Sequence, residues 1–275
     1  MTDKIMAKNL SKTYDKFKLG PNDFAIKKGF VTGFIGKNGM GKTTTIKALL
    51  SLINYDGEIF LDGKKINDLT YLQDVGLVMD DSFLGKDWTL DLVSEAMAIG
   101  YDRWDSKTYY EYLNKFGLEK EKKVCELSRG MKIKLMLAVA LSHDAKILIL
   151  DEPTSGLDPA MRDELVDMIL DFMENENHTV LFSTHITQDL DRIADYIVFI
   201  DQGKIVFEGI KDELYDKFLL IKGGLEDYER IKNLKIYGQK KTKVNFEALI
   251  LREDYKESIP EFSPSKNRLD ENITA

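Results

Sequence analysis

The chain has 275 residues, 43% of them hydrophobic, with 47 acidic against 39 basic side chains and a net charge of −8 at pH 7. That apolar content is ample for a core, and the length suits one large domain or one domain with an appendage. The acidic balance argues against general nucleic-acid binding, because an acidic surface repels a phosphate backbone, so no nucleic-acid partner is expected. A single cysteine, Cys125, excludes an internal disulfide and fits a reducing compartment. It reads as a small apolar residue packed in a helical region. The N-terminal residues 1–8 lack the apolar stretch of a signal peptide, and no apolar run approaches membrane-spanning length. The expectation is a cytosolic chain whose membrane role, if any, needs a partner.

In chain order, Ile5–Asn9 and Phe24–Ile26 read as short strands, with Lys27-Lys28-Gly29 as a turn. Phe30–Ile35 reads as a buried strand and Thr44–Leu52 as a helix. Between them, Gly36 to Thr43 fits G-x-x-x-x-G-K-[ST], the phosphate-binding P-loop. Gly36, Gly39 and Gly41 permit the positive φ angles and close backbone approach that a loop around phosphate needs. Its N–H groups then point inward at a helix N-terminus, whose dipole favours anions. Lys42 can reach the β- and γ-phosphates and the Thr43 hydroxyl can ligate Mg²⁺. Asn38 and Thr44, from the same loop and helix start, complete the nucleotide-binding candidates. Glu58–Leu61 followed by Asp62-Gly63 is a further strand with its turn.

From about Thr89 to Leu141 the periodicity is helical, and Tyr101, Trp104, Tyr109, Tyr110 and Tyr112 read as helix-packing residues. Ser128 and Gly130 stand just ahead of the apolar helix Leu135–Leu141. They offer a hydroxyl and free N–H groups to an anion, although taken alone an ordinary N-cap by Ser128 is the simpler account. The strand Ala145–Leu150 runs directly into Asp151-Glu152. Asp151 can hold Mg²⁺ from the side opposite Thr43, directly or through metal-bound water. Glu152, pointing to the other side of the strand end, is suited to orient or deprotonate an attacking water. The alternative is an acidic turn that only terminates the sheet. Thr179–Ser183 and Ile197–Ile200 are further strands, the last paired with Lys204–Glu208 across Asp201-Gln202-Gly203. Near-continuous apolar strands alternating with helices predict an α/β fold whose parallel sheet is covered on both faces. Residues 211–259 read as a small mixed module, and 260–275 as a polar, loosely ordered tail.

The order of P-loop, Leu127-Ser-Arg-Gly130, Asp151-Glu152, Ser155-Gly-Leu-Asp158 and Ser183-Thr-His185 resembles an ABC-type ATPase domain over about residues 1–210. The resemblance implies an α/β P-loop NTPase (RecA-like) core. To this it adds an antiparallel β subdomain, a helical subdomain at about 85–142 and a small C-terminal α+β appendage. It also implies ATP and Mg²⁺ as ligands and a head-to-tail homodimer, or a heterodimer with a second ABC ATPase. Each ATP would lie between the P-loop of one chain and Leu127–Gly130 of the other, so that Ser128 and Gly130 touch the γ-phosphate in trans. By the same resemblance Tyr14 matches the adenine-stacking aromatic, with a half-buried strand-end tyrosine as the alternative. Asp158 matches the loop that connects the two sites, and His185 the histidine that contacts the γ-phosphate and the catalytic water.

Two departures stand out. The family commonly has glycine and glutamine where Arg129 and Met131 stand, and Asp80 occupies the place of a loop glutamine, carried here as a candidate contact to Mg²⁺ or water. The resemblance further implies an integral membrane permease that docks at the helical segment, placing the chain on the inner face of the cell membrane. The Leu-Ser-Arg-Gly-Met form and the C-terminal module are similar to bacterial ATPases that export peptides, antibiotics or lipids. The alternative reading is a soluble ABC ATPase or an ATP-sensing regulatory or immunity module. His143 and His178 receive no function.

Overall fold

The computed structural model describes residues 2–79, 83–185 and 187–255. The expected tail, 260–275, and Asp80 lie outside the described residues. From the N-terminus, β1 (Asp3–Tyr14) and β2 (Phe17–Lys27) form a hairpin, β3 (Val31–Ile35) leads into α1 (Lys42–Leu49), and β4 (Asp56–Leu61) and β5 (Lys64–Lys65) follow. β6 (Val75–Val78) precedes the helical region of α2 (Leu90–Gly100), α3 (Ser106–Lys115) and α4 (Arg129–Leu141). Next come β7 (Ile147–Asp151), α5 (Pro159–Met173), β8 (Thr179–Thr184), α6 (Thr187–Ile193), β9 (Tyr196–Asp201) and β10 (Lys204–Ile210). Beyond them lie α7 (Lys211–Lys217), β11 (Phe218–Gly224), α8 (Leu225–Ile231), β12 (Gly238–Lys241) and β13 (Asn245–Leu251).

The central sheet has the order β10-β9-β3-β8-β7-β6. All neighbours pair in parallel except β10, which returns antiparallel to β9. Every residue of β3, β7 and β8 is buried, as expected for strands covered on both faces. The strand period of two divides their side chains. Leu148, Leu150, Val180, Phe182, Ile197 and Phe199 face a core shared with α4, α5 and α6. Ile147, Ile149, Leu181, Val198 and Ile200 face the opposite way, toward α1 and the antiparallel sheet β2-β1-β4-β5. Thr89, Asp105 and Ser128 cap α2, α3 and α4 by accepting from Leu92, Lys107 and Met131 N–H groups respectively.

The aromatics of the helical region pack as expected. Tyr109 is fully buried, its hydroxyl donates to Leu90 O at 2.9 Å, and its ring lies 5.3 Å from Trp104. Cys125 does not pack: it is exposed, in the short 3-10 turn Val124–Glu126, because the apolar contacts there go to its neighbour Val124. The strands of the first hairpin are longer than their sequence pattern, since β1 continues past Asn9 (φ 51°) through shifts of register at residues 7–12. After Ile210 a separate antiparallel sheet, β11-β13-β12, encloses its own small core of Ile221, Ile231, Phe246 and Ile250. It joins the main body through Phe218 and Tyr237, which pack on Phe199 of β9.

His143, just beyond α4, is fully buried and stacks on Tyr101 with ring centroids 3.9 Å apart. Burial pushes its imidazole down to about 4 from 6.5. An unfolded chain therefore takes up a proton below pH 6.5 that the folded chain refuses until about pH 4. Stability from this group is complete above pH 6.5 and declines through that window as pH falls, by on the order of 3 kcal/mol in total. Denaturant unfolding of His143→Gln between pH 7 and 4 is expected to show a flatter stability profile than the parent, whatever its absolute stability.

Candidate active site

Parallel pairing sets the C-terminal ends of β3, β8 and β7 side by side: Ile35 is level with Thr184, and Asp151 with Ser183. The P-loop leaves β3, His185 follows β8, and Glu152 follows β7, so three distant segments meet at one edge of the sheet. Gly36 is forced to be glycine by close approach, because a Cβ there would lie 2.5 Å from Ile200 O. Gly39 and Gly41 take φ values of 81° and 110°, and Gly41 is the N-cap of α1, which begins at Lys42, two residues ahead of the expected helix start. Asn38 and Gly39 form the exposed crest of the loop, Thr43 is exposed and Thr44 half-buried.

The loop is braced from behind. Gly203 N donates to Met40 O at 3.0 Å and Gln202 N to Met40 Sδ at 3.2 Å, so the β9–β10 turn carries the P-loop. The same turn accepts from Gly20 N at 2.7 Å, tying in the antiparallel sheet. Phe17 closes the side of Gly41, where a Cβ would lie 2.9 Å from its ring. Tyr14 pairs with Phe17 across the hairpin and is 44% exposed, with Lys12 Nζ 5.6 Å from its ring centroid. It is thus an exposed aromatic at the end of β1.

The two acidic residues divide their partners. Asp151, buried, accepts from Thr43 Oγ1 at 2.7 Å and from Ser183 Oγ at 2.5 Å. Glu152 lies 2.9 Å from Lys42 Nζ through Oε1, and 2.5 Å from His185 Nδ1 through Oε2. Lys42 is itself buried and donates to Gly36 O at 2.5 Å and Lys37 O at 3.2 Å. Glu152 holds φ 52°, a left-handed conformation that turns its side chain away from that of Asp151. Its N–H still donates to Ser183 O at 3.0 Å, so the carboxylate is aimed by a residue that remains attached to the sheet.

These residues fit a nucleotide and its metal. Thr43 and Asp151 present a hydroxyl and a carboxylate, the hard oxygen donors that Mg²⁺ takes. Among the described residues no three His, Cys, Asp or Glu side chains form a metal cluster. Ser128 and Gly130 are not joined to this cluster by any hydrogen bond or ion pair among the described residues. Ser128 Oγ accepts from Met131 N at 3.3 Å, and Gly130 abuts Met161, whose Cε would lie 2.0 Å from an added Cβ. Asp158 caps α5 by accepting from Met161 N at 3.0 Å. The supporting roles of Ser183, Met40 and Phe17 were not assigned from sequence. Only Ser183 carried a signal, as a hydroxyl at the end of an otherwise apolar strand.

Fold and site together define a P-loop nucleotide-binding protein. The ABC transporter family model matches residues 19–155. The chain is 34% identical over 212 residues to the lantibiotic transport ATP-binding protein SrtF of Streptococcus pyogenes, covering 74% of this chain and 90% of that one. It is 34% identical over 216 residues to the bacitracin transport ATP-binding protein BcrA of Bacillus licheniformis, covering 76% and 70%. A solved ATP-binding subunit of an ABC transporter superposes with a TM-score of 0.69 at 26% identity, over 77% of this chain and 92% of that one. The chain belongs to the ABC transporter family, as an ATP-binding subunit whose ATP hydrolysis is coupled to transport.

Lys42→Ala removes the buried cation that meets Glu152 and the P-loop carbonyls. Titration with a fluorescent ATP analogue is expected to show binding weakened about 10- to 100-fold, as for lost charge-assisted hydrogen bonds. Full affinity would remove the cradle assignment.

Proposed function

We propose that this chain hydrolyses ATP with Glu152 as the base that orients and deprotonates water, and that it does so as one half of a two-site dimer. The observation that supports the reading is the placement of Glu152 between Lys42 and His185. Lys42 exchanges the carboxylate for a phosphate oxygen, which frees Glu152 to accept a proton from water while His185 keeps it oriented. Thr43 and Asp151 would hold Mg²⁺, which when bound would supply charge neutralisation on the phosphates. Tyr14 offers its open face to the base. Ser128, Gly130 and Asp158 serve the facing site of a second copy or of a related ATPase.

The partner we propose is an integral membrane permease, received on the helical region. Among the described residues no helix is long and apolar enough to cross a membrane. Leu92 and Ile99, seven residues apart on one face of α2, are 42% and 90% exposed, and Phe83 nearby in sequence is 48% exposed. Such side chains are suited to burial against a partner's apolar helix. Membership of the group that includes the lantibiotic and bacitracin transport proteins supports export of a peptide, antibiotic or lipid, with the chain on the cytoplasmic face of the membrane.

Glu152→Gln is expected to bind ATP while losing on the order of 10²–10⁴ in turnover, as for a lost general base. An unchanged rate would sink that role. The same variant, tagged and purified from native membranes with Mg-ATP, should bring down a polytopic membrane protein. Recovery of soluble partners alone would overturn the docking reading.

A further inference from the structure

Arg129 opens α4 beside the N-cap Ser128, at a position that is exposed. Its guanidinium lies across Gly156, where an added Cβ would sit 3.3 Å from Nη1. Gly156 has φ 72° and belongs to the turn Ser155–Asp158, between Glu152 and the N-cap of α5. That turn is closely held. Ser155 N donates to Glu152 O at 3.2 Å and Leu157 N to Thr154 O at 3.1 Å, so its backbone is continuous with the residue that carries the carboxylate. On its far side Arg162 Nε donates to Leu157 O at 3.1 Å. Below it Gly130 is seated on Met161 and Leu157. A planar cation lies flat on a backbone only where no side chain intervenes, which Gly156 allows, and a lysine ammonium would not reproduce that fit.

We propose that Arg129 is a positioning residue for hydrolysis. Lying on Gly156, it locks the Ser155–Asp158 turn, and through it Glu152, to the segment Leu127–Gly130 of the same chain. The edge that meets one nucleotide and the carboxylate that serves the other then move as one body. This rests on the two-site reading above.

The full chain is compared with Arg129→Ala and Arg129→Lys. The expected result for Arg129→Ala is a kcat lowered about 10- to 100-fold, as for misplaced catalytic groups, with KM and single-site ATP-analogue affinity within twofold of the parent. Arg129→Lys restores only part of the rate. Asp158→Asn keeps the cap of α5 while altering the same turn, so combining it with Arg129→Ala should cost less than the product of the two single losses. Turnover within twofold of the parent in Arg129→Ala, or losses that simply multiply with Asp158→Asn, would overturn the proposal. Light scattering of the otherwise unaltered Glu152→Gln chain separates the two readings. Without an ATP-dependent dimer the two-site reading fails and takes the Arg129 proposal with it, whereas a dimer with an unaffected Arg129→Ala rate overturns the proposal alone.

Discussion

The parallel pairing of β3, β8 and β7 is the constraint on which everything else hangs. It is a matter of register: Ile35 opposite Thr184 and Asp151 opposite Ser183 bring the P-loop, the histidine segment and the acidic pair to one edge. A parallel ladder of this kind needs crossovers and cover on both faces. The crossovers supply the cover: α1 on one side, α4, α5 and α6 on the other. Without that enclosure neither Lys42 nor Asp151 would be buried, and their exchanges with Glu152, Thr43 and Ser183 would be diluted by water.

What was legible in the sequence was what short-range chemistry dictates. The glycine spacing of the P-loop, the apolar runs of the central strands and the carboxylates at the end of Ile147–Leu150 each carry their reason within a few residues. The rest depends on partners far away in the chain. Nothing near Met40 announces that its carbonyl and sulfur receive N–H groups from residues 202 and 203. In β1 the irregular register near Asn9 breaks the alternation that marks a strand, while β2 continues through Gly20-Pro21, which locally reads as a stop. Cys125 shows the same limit: its composition says buried, but the 3-10 turn presents Val124 to the core and leaves the thiol outside.

The segment Leu127–Gly130 and the turn after Glu152 belong together in this chain. Gly130 against Met161, Arg129 across Gly156 and Asp158 at the head of α5 make a single joint between α4 and α5. The glycines at 130 and 156 serve as flat surfaces for a neighbour's side chain as much as they serve backbone freedom. That arrangement explains how an arginine is accommodated at a position the family commonly gives to glycine: the second glycine, on the facing turn, receives it.

Glu152 adopts a backbone conformation that L-residues with long side chains seldom hold, and such positions carry a local cost of order 1 kcal/mol or more. Glycine would relax the turn and deprive it of its carboxylate. The fold therefore holds a strained angle at Glu152, at a residue whose N–H also donates to Ser183 O and so stays tied to the sheet. One residue thus carries two opposed demands: the backbone would rest more easily as glycine, while Lys42 and His185 would lose the carboxylate they share.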